Sequence, residues 1–118
     1  MSLSKIPEVD VNELARKLGS DESFVLLDVR EAWELDQAMI VDSRLKVVPM
    51  SRLAQLGVDA FPEDLQQKDM EILVMCHQGV RSANVAEWMI AQGWKNVASV
   101  RGGIAEYARL IDGSVGRY

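Results

Sequence analysis

Two short apolar runs in this chain lack the alternation of apolar and polar residues that a half-exposed strand shows. Residues 24–27 read Phe-Val-Leu-Leu, and residues 72–75 read Ile-Leu-Val-Met. This pattern is typical of strands covered on both faces, as in parallel sheets flanked by helices. Strands are predicted at 24–28, 46–48, 71–75 and 96–100, and helices at 9–18, 30–36, 51–56, 81–92 and from 104 to about 110. The sequence therefore predicts an α/β fold with a central parallel sheet of about five strands and helices on both faces.

The overall composition suits one compact soluble unit. With 118 residues, of which 48% are hydrophobic, we expect a single domain over residues 1–118 with its core at about 9–110. The net charge of −5 is interspersed along the chain, so nucleic acid is not an expected partner. No apolar run approaches the roughly 20 residues that cross a bilayer, and the first ten residues lack the order of a signal peptide. We expect a cytoplasmic protein that does not contact a membrane.

The chain contains one cysteine, Cys76, and one histidine, His77. A single cysteine cannot form an internal disulfide. A structural zinc site needs about four Cys or His ligands, and a catalytic zinc site needs about three protein ligands. The acidic residues also show neither the spacing of a calcium loop nor that of a facial triad. We therefore expect neither a metal ion nor another cofactor.

Cys76 directly follows the predicted strand at 71–75 and opens the segment Cys-His-Gln-Gly-Val-Arg-Ser at 76–82. In parallel sheets, ligand sites lie beyond the carboxyl ends of the strands. A tight loop that enters a helix turns backbone N–H groups inward, and the helix dipole adds positive potential, so such a loop binds anions. Gly79 provides the backbone freedom that the loop needs, and Arg81 adds a fixed charge with a forked donor. These features indicate a nucleophilic thiolate facing a pocket for a small anion.

The alternative interpretation of Cys76 is an inert thiol at the end of a core strand. Taken alone, Cys76 favours that interpretation, and the presence of Gly79 and Arg81 within the next five positions reverses it. Asp28 and Arg30 follow the neighbouring predicted strand and could touch a substrate. We favour a structural role, in which Asp28 accepts backbone hydrogen bonds and Arg30 pairs with a carboxylate. We expect His77 at the pocket rim or facing solvent, with a role as general base less favoured.

Four motifs in register resemble the rhodanese family. They are the loop at 76–82, Leu-Asp-Val-Arg-Glu at 27–31, Gly-Trp-Lys-Asn-Val at 93–97 and Gly-Gly-Ile at 102–104. The resemblance covers about residues 9–110 and implies the rhodanese-like fold and thiosulfate sulfurtransferase activity. In that activity the Cys76 thiolate attacks the outer sulfur of a donor such as thiosulfate, sulfite leaves, and Cys76 holds a persulfide. The implied acceptor is a thiol, cyanide or a sulfur-carrier protein.

The resemblance also implies roles for the loop residues. Their inward N–H groups stabilise the persulfide, and Arg81 steadies the sulfonate of the donor. The implied substrate-binding residues are His77, Gln78, Gly79, Val80 and Arg81, and the residues assigned to structural support are Asp28, Arg30 and Ser82. The segment at 37–42 departs from the family pattern, which leaves the neighbouring pocket wall at 37–45 unpredicted.

Two other classes of function use the same residue types. Phosphatases and arsenate reductases also combine a cysteine, a loop of N–H groups and an arginine, but they place five residues between Cys and Arg. Only four residues separate Cys76 from Arg81, and a smaller loop suits a persulfide better than a phosphate. Rhodanese-like domains can also lose their chemistry and act as binding or sulfur-carrier modules. Retention of Cys76 and Arg81 argues against that alternative.

Overall fold

A computed structural model describes residues 6–118 and contains one five-stranded sheet in which every strand pair is parallel. The strands are β1 (Glu8–Val9), β2 (Val25–Asp28), β3 (Leu45–Val47), β4 (Ile72–Met75) and β5 (Val97–Val100). The helices are α1 (Val11–Leu18), α2 (Ala32–Leu35), α3 (Met50–Leu56), α4 (Val80–Ala91) and α5 (Gly103–Leu110). Short 3₁₀ turns lie at Gly57–Ala60, Glu63–Gln66 and Gly113–Val115. The predicted α/β fold is confirmed.

Helices cover both faces of the sheet, which explains the missing alternation in β2 and β4. Successive side chains of a strand point to opposite faces. Leu27 and Val74 lie in the core formed with α3 and α4, whereas Leu26 and Leu73 lie in the core formed with α1 and α5. All four side chains are 0–1% exposed. Because neither face reaches water, apolar residues are required at every position.

The helices are short, and the longest of them, α4, has 12 residues. α1 begins at Val11, two residues after the predicted start at 9, because the Asp10 carboxylate caps it by accepting a hydrogen bond from the Glu13 N–H at 2.9 Å. Across residues 6–118, the structure contains no helix with the length and apolar character of a membrane span.

Two local predictions were wrong, and one strand was missed. A glycine directly after α1 predicts a left-handed residue there, but Gly19 has φ −83°. The apolar stripe of Ala83, Ala86, Met89 and Ile90 predicts the buried face of α4, but Ile90 is 41% exposed, and the buried face also includes Ser82 and Val85. β1 was not predicted. Its two residues are too few to show a periodicity, and it exists because it pairs with β5.

The strand order β1-β5-β4-β2-β3 places the ends of β2 and β4 side by side, with Asp28 opposite Met75. The chain continues from β2 to β3 on one side and from β4 to β5 on the other. Loops that diverge in this way leave a crevice at the carboxyl ends of the two strands. Cys76 follows β4 at this position, and Val29 follows β2.

We predict that Leu65→Ala lowers the free energy of unfolding by about 3 kcal/mol. The Leu65 side chain is 0% exposed, so its truncation leaves a cavity in the core. The matched control is Leu56→Ala, since Leu56 is 42% exposed. This control is expected to change the free energy of unfolding by roughly 0.5 kcal/mol or less. Urea denaturation of both variants measures the difference, and equal losses would contradict the described core.

Candidate active site

The sulfur of Cys76 lies at the floor of the loop between β4 and α4, and the residue is 1% exposed. Its Sγ accepts hydrogen bonds from the backbone N–H of Gly79 at 3.1 Å and of Ser82 at 3.3 Å. The Ser82 hydroxyl oxygen lies 3.4 Å from Sγ and 2.8 Å from the hydroxyl oxygen of Ser99. Hydrogen bonds to a charged acceptor are stronger than those to a neutral one, so these donors favour negative charge on the sulfur.

Gly79 shapes the loop where it enters α4. Its φ is +102°, and a Cβ at this position would lie 3.0 Å from the backbone nitrogen of Gly102. Only glycine adopts this conformation without strain, and a Cβ would crowd the turn before α5. The sequence predicts that the loop needs backbone freedom at Gly79, and the structure has a positive φ at this residue.

The amino end of α5 holds the same loop from outside. The N–H of Ile104 donates to the carbonyl of Cys76, and the N–H of Ala105 donates to the carbonyl of His77, both at 3.0 Å. Gly103 has φ +61°, and a Cβ there would overlap both carbonyl oxygens. The two carbonyls are thus satisfied on the α5 side of the loop.

Several loop N–H groups remain without a protein acceptor. Among residues 6–118, no oxygen or sulfur accepts a hydrogen bond from the backbone N–H of His77, Gln78, Val80 or Arg81. A backbone N–H needs an acceptor, so these four groups are available to a ligand or to water. Together with the donors to Sγ, they give the loop an excess of donors.

A small pocket of about 130 Å³ opens over the sulfur. It is lined by the side chains or backbone of Cys76, His77, Gln78, Val80 and Arg81. A larger cleft of about 590 Å³ lies beside Phe24 and Arg44, near the amino ends of β2 and β3. The smaller pocket is the candidate site, because it contains the sulfur and lies at the carboxyl ends of the strands.

Arg81 forms a two-point ion pair with Glu34, a residue of α2. Its Nη1 lies 2.7 Å from Oε2 and its Nη2 lies 2.8 Å from Oε1. The Tyr118 hydroxyl donates to Oε1 at 2.9 Å and accepts from Nη1 of Arg30 at 3.1 Å. Arg30 in turn pairs with Asp28 at 2.7 Å, and both of these side chains are 0% exposed. One hydrogen-bonded network thus joins the end of β2, α2, α4 and Tyr118.

The contacts of this network determine the ionisation states of Glu34 and Tyr118. The hydrogen bonds from Arg81 lower the pKa of Glu34 to about 2, against the opposing effect of burial, so this carboxylate is ionised at neutral pH. Burial raises the pKa of Tyr118, and its hydrogen bond to Glu34 acts in the same direction. The phenol therefore stays protonated and can donate to the carboxylate.

His77 contacts the tail of the chain. Its ring stacks on the ring of Tyr118 with centroids 3.8 Å apart, and its Nε2 lies 2.9 Å from the Tyr118 main-chain oxygen. The tail also forms the wall that the sequence left open: Ala38 pairs with Gly116 as an antiparallel bridge. His77 is therefore engaged at the rim of the pocket.

Sequence reasoning missed Glu34, Ser99 and Tyr118. The Glu-x-x-Glu spacing of Glu31 and Glu34 matches a capping box, and the Glu34 carboxylate does accept the Glu31 N–H at 2.9 Å. That signal predicts where α2 begins. It does not predict the pairing of Glu34 with Arg81, which lies 47 positions away.

Comparison with known proteins identifies the family. The profile described as Rhodanese-like domain matches residues 10–110. The chain belongs to the rhodanese-like domain family. A Staphylococcus aureus structure described as a rhodanese-like domain protein superimposes on this rhodanese-like domain with a TM-score of 0.70 and 26% identity, covering 86% of this chain and 91% of the other.

Curated relatives of this rhodanese-like domain are named for sulfur chemistry. A sulfurtransferase of Allochromatium vinosum is 31% identical over 104 residues, which are 88% of this chain and 90% of the relative. The thiosulfate sulfurtransferase GlpE of Haemophilus influenzae is 35% identical and covers 74% of this chain, with 90% of its own length matched. The putative sulfur carrier protein YrkF of Bacillus subtilis is 35% identical over 88% of this chain, which spans 52% of that protein. These relationships support sulfur transfer of the rhodanese type.

We predict that Gly103→Ala destabilises the loop, because the new Cβ overlaps the Cys76 and His77 carbonyls at a positive φ. The free energy of unfolding should fall by about 3 kcal/mol, because backbone strain and steric overlap add. Gly113→Ala is the matched control, because its Cβ would meet only ordinary contacts at 3.6 Å or more. Thermal unfolding measures both variants. A Gly103→Ala protein as stable as the Gly113→Ala protein would show that α5 does not support the loop as described.

We predict that Glu34→Gln lowers the free energy of unfolding at pH 7 by roughly 2 kcal/mol, because the ion pair with Arg81 is lost. The pKa of Glu34 is lower in the folded protein than its ordinary value of 4.5. Its contribution is therefore complete above about pH 4.5 and disappears as the pH falls toward about 2. The difference in free energy of unfolding between wild type and Glu34→Gln should therefore become smaller as the pH falls from about 4.5 to about 2. Urea denaturation at a series of pH values measures it. Glu87→Gln, an exposed carboxylate on α4, controls for the loss of one negative charge.

Proposed function

We propose that this rhodanese-like domain is a sulfurtransferase that carries sulfane sulfur as a persulfide on Cys76. The main support for the proposal is the environment of the buried Sγ. This atom accepts hydrogen bonds from the N–H groups of Gly79 and Ser82 and lies at the floor of a small open pocket. A thiolate stabilised by fixed donors is the activated nucleophile that this chemistry needs.

In the proposed first step, the Cys76 thiolate attacks the outer sulfur of a donor such as thiosulfate. A new S–S bond forms, the S–S bond of the donor breaks, and its electron pair leaves with sulfite. The negative charge then resides on the outer sulfur of the persulfide, which extends into the pocket. The N–H groups of Gln78, Val80 and Arg81 that lack protein acceptors can receive it there.

In the proposed second step, a thiophilic acceptor attacks the outer sulfur and Cys76 leaves as the thiolate. The candidate acceptors are cyanide, a small thiol or a sulfur-carrier protein. Gln78 and Val80 lie exposed at the rim, and Val80 is 71% exposed, so an acceptor can approach from solvent. No oxidant or reductant is needed, because each step exchanges one S–S bond for another bond to sulfur.

We assign the remaining residues by their contacts. His77, Gln78, Gly79, Val80 and Arg81 bind substrate through the loop backbone, and Arg81 also offers the guanidinium donors that Glu34 does not use. Ser82 donates its N–H to the sulfur, and its hydroxyl oxygen lies 3.4 Å from Sγ. Asp28 and Arg30 form a buried pair behind the pocket, which favours their structural role over substrate contact.

The first experiment is the intact mass of the purified protein before and after incubation with thiosulfate. We expect a gain of one sulfur atom that dithiothreitol removes, and Cys76→Ser should show none. The double variant Cys76→Ser with Ser23→Cys places a thiol at an exposed position outside the loop and should not gain sulfur at a comparable rate.

Three other results of these experiments would contradict the proposal. Failure of wild type to gain sulfur from thiosulfate, mercaptopyruvate or a small persulfide would contradict the proposal and favour a non-catalytic binding module. Equal sulfur gain by the surface thiol would remove the loop from the mechanism. Hydrolysis of a phosphate ester that requires Cys76 would favour the phosphatase class.

A further inference from the structure

The guanidinium of Arg81 is already bound by a carboxylate. Both terminal nitrogens of Arg81 donate to Glu34, at 2.7 and 2.8 Å, in the fork geometry that Arg and carboxylate prefer. Arg81 is the one arginine or lysine among the described residues that line the pocket. The charge that would attract an oxyanion is therefore compensated within the protein.

Glu34 is held too firmly to release Arg81 easily. Its side chain is 4% exposed, and besides Arg81 it accepts hydrogen bonds from the Glu31 N–H and from the Tyr118 hydroxyl, both at 2.9 Å. Tyr118 is itself fixed by Arg30. Moving the carboxylate away would take the acceptor from three part-buried donor groups at once: the Arg81 guanidinium, the Glu31 N–H and the Tyr118 hydroxyl.

The charges of the network cancel. Asp28 and Arg30 form one pair, and Glu34 and Arg81 form the other. A doubly charged donor that enters the pocket meets backbone N–H dipoles and a neutralised arginine, so its second charge gains little attraction. A donor without a sulfonate has no such charge to accommodate.

We propose that Glu34 sets the donor preference of this site: by holding Arg81 in a two-point ion pair, it disfavours doubly charged donors such as thiosulfate relative to organic persulfides. This inference rests on the proposed sulfur transfer at Cys76. With a persulfide R–S–SH, the Cys76 thiolate attacks the terminal sulfur, the S–S bond of the donor breaks, and R–S⁻ leaves with the electron pair. The product is the Cys76 persulfide with the donor's proton on its outer sulfur; loss of that proton to solvent gives the same anion as thiosulfate does, and no redox partner is consumed.

Glu34 acts through Arg81 and is a positioning residue, so its test separates donor binding from chemistry. Sulfur loading of Cys76 is followed by rapid quench and intact mass at a series of concentrations of thiosulfate or of cysteine persulfide. For Glu34→Gln we expect the half-saturating concentration of thiosulfate to fall about tenfold, because Arg81 regains an uncompensated charge. The ratio of the thiosulfate value to the cysteine persulfide value should fall by a similar factor.

Two further variants show whether the effect passes through Arg81. Arg81→Gln leaves the Glu34 carboxylate uncompensated and should raise the half-saturating thiosulfate concentration. Glu34→Gln with Arg81→Gln is again neutral and should return this concentration toward the wild-type value. Should Glu34→Gln fail to fold, Arg81→Gln alone still tests the charge balance through the same donor ratio.

The outcomes separate the inference from the function. Suppose that both donors load the protein but the ratio of their half-saturating concentrations is the same in Glu34→Gln as in wild type. This result would overturn the role of Glu34 and leave sulfur transfer intact. If Glu34→Gln does not fold, an unchanged ratio in Arg81→Gln has the same meaning. An improvement that persists in the double variant would also overturn it, since the effect would not depend on Arg81. Absence of loading by either donor in wild type would contradict the proposed function itself.

Discussion

The hydrogen bonds from the amino end of α5 to the carbonyls of Cys76 and His77 hold the loop on which the site depends. A loop this short cannot form a core of its own, so its backbone must be fixed by neighbours. Because α5 satisfies the carbonyls from one side, the N–H groups of Gly79 and Ser82 are left to face Sγ. Gly79 and Gly103 make this arrangement possible, since the loop and the turn before α5 approach more closely than a Cβ allows.

A charged network supports the loop on its other side; it is buried at Asp28, Arg30 and Glu34 and partly exposed at Arg81 and Tyr118. Buried ion pairs compensate for lost hydration only when their remaining donors and acceptors are also satisfied. Here the Tyr118 hydroxyl lies between the two pairs: it accepts from Arg30 and donates to Glu34. The same residue stacks on His77, so the tail contributes at once to stability and to the pocket rim.

The sequence predicted the features that depend on short-range patterns. The apolar runs of β2 and β4 follow from their coverage on two faces, and the position of the Cys76 loop follows from a strand that leads directly into a helix. It could not predict β1, which has two residues, because its existence depends on pairing with β5. The pair of Glu34 with Arg81 depends likewise on how α2 and α4 meet in space. The wall near Ala38 depends on the docking of the tail.

Backbone and side chains divide the work of this site in physically different ways. The donors that reach Sγ come mainly from the backbone, and they are dipoles with no net charge, so they stabilise a sulfur anion without requiring a counter-ion. Side chains at the mouth contribute net charge, and here Glu34 and Arg81 cancel. A change of side chain at the mouth can therefore alter which donor is favoured and leave the support of the sulfur in place. In the proposed function, the charge at the mouth would therefore set the donor preference, and the loop backbone would support the sulfur whichever donor is used.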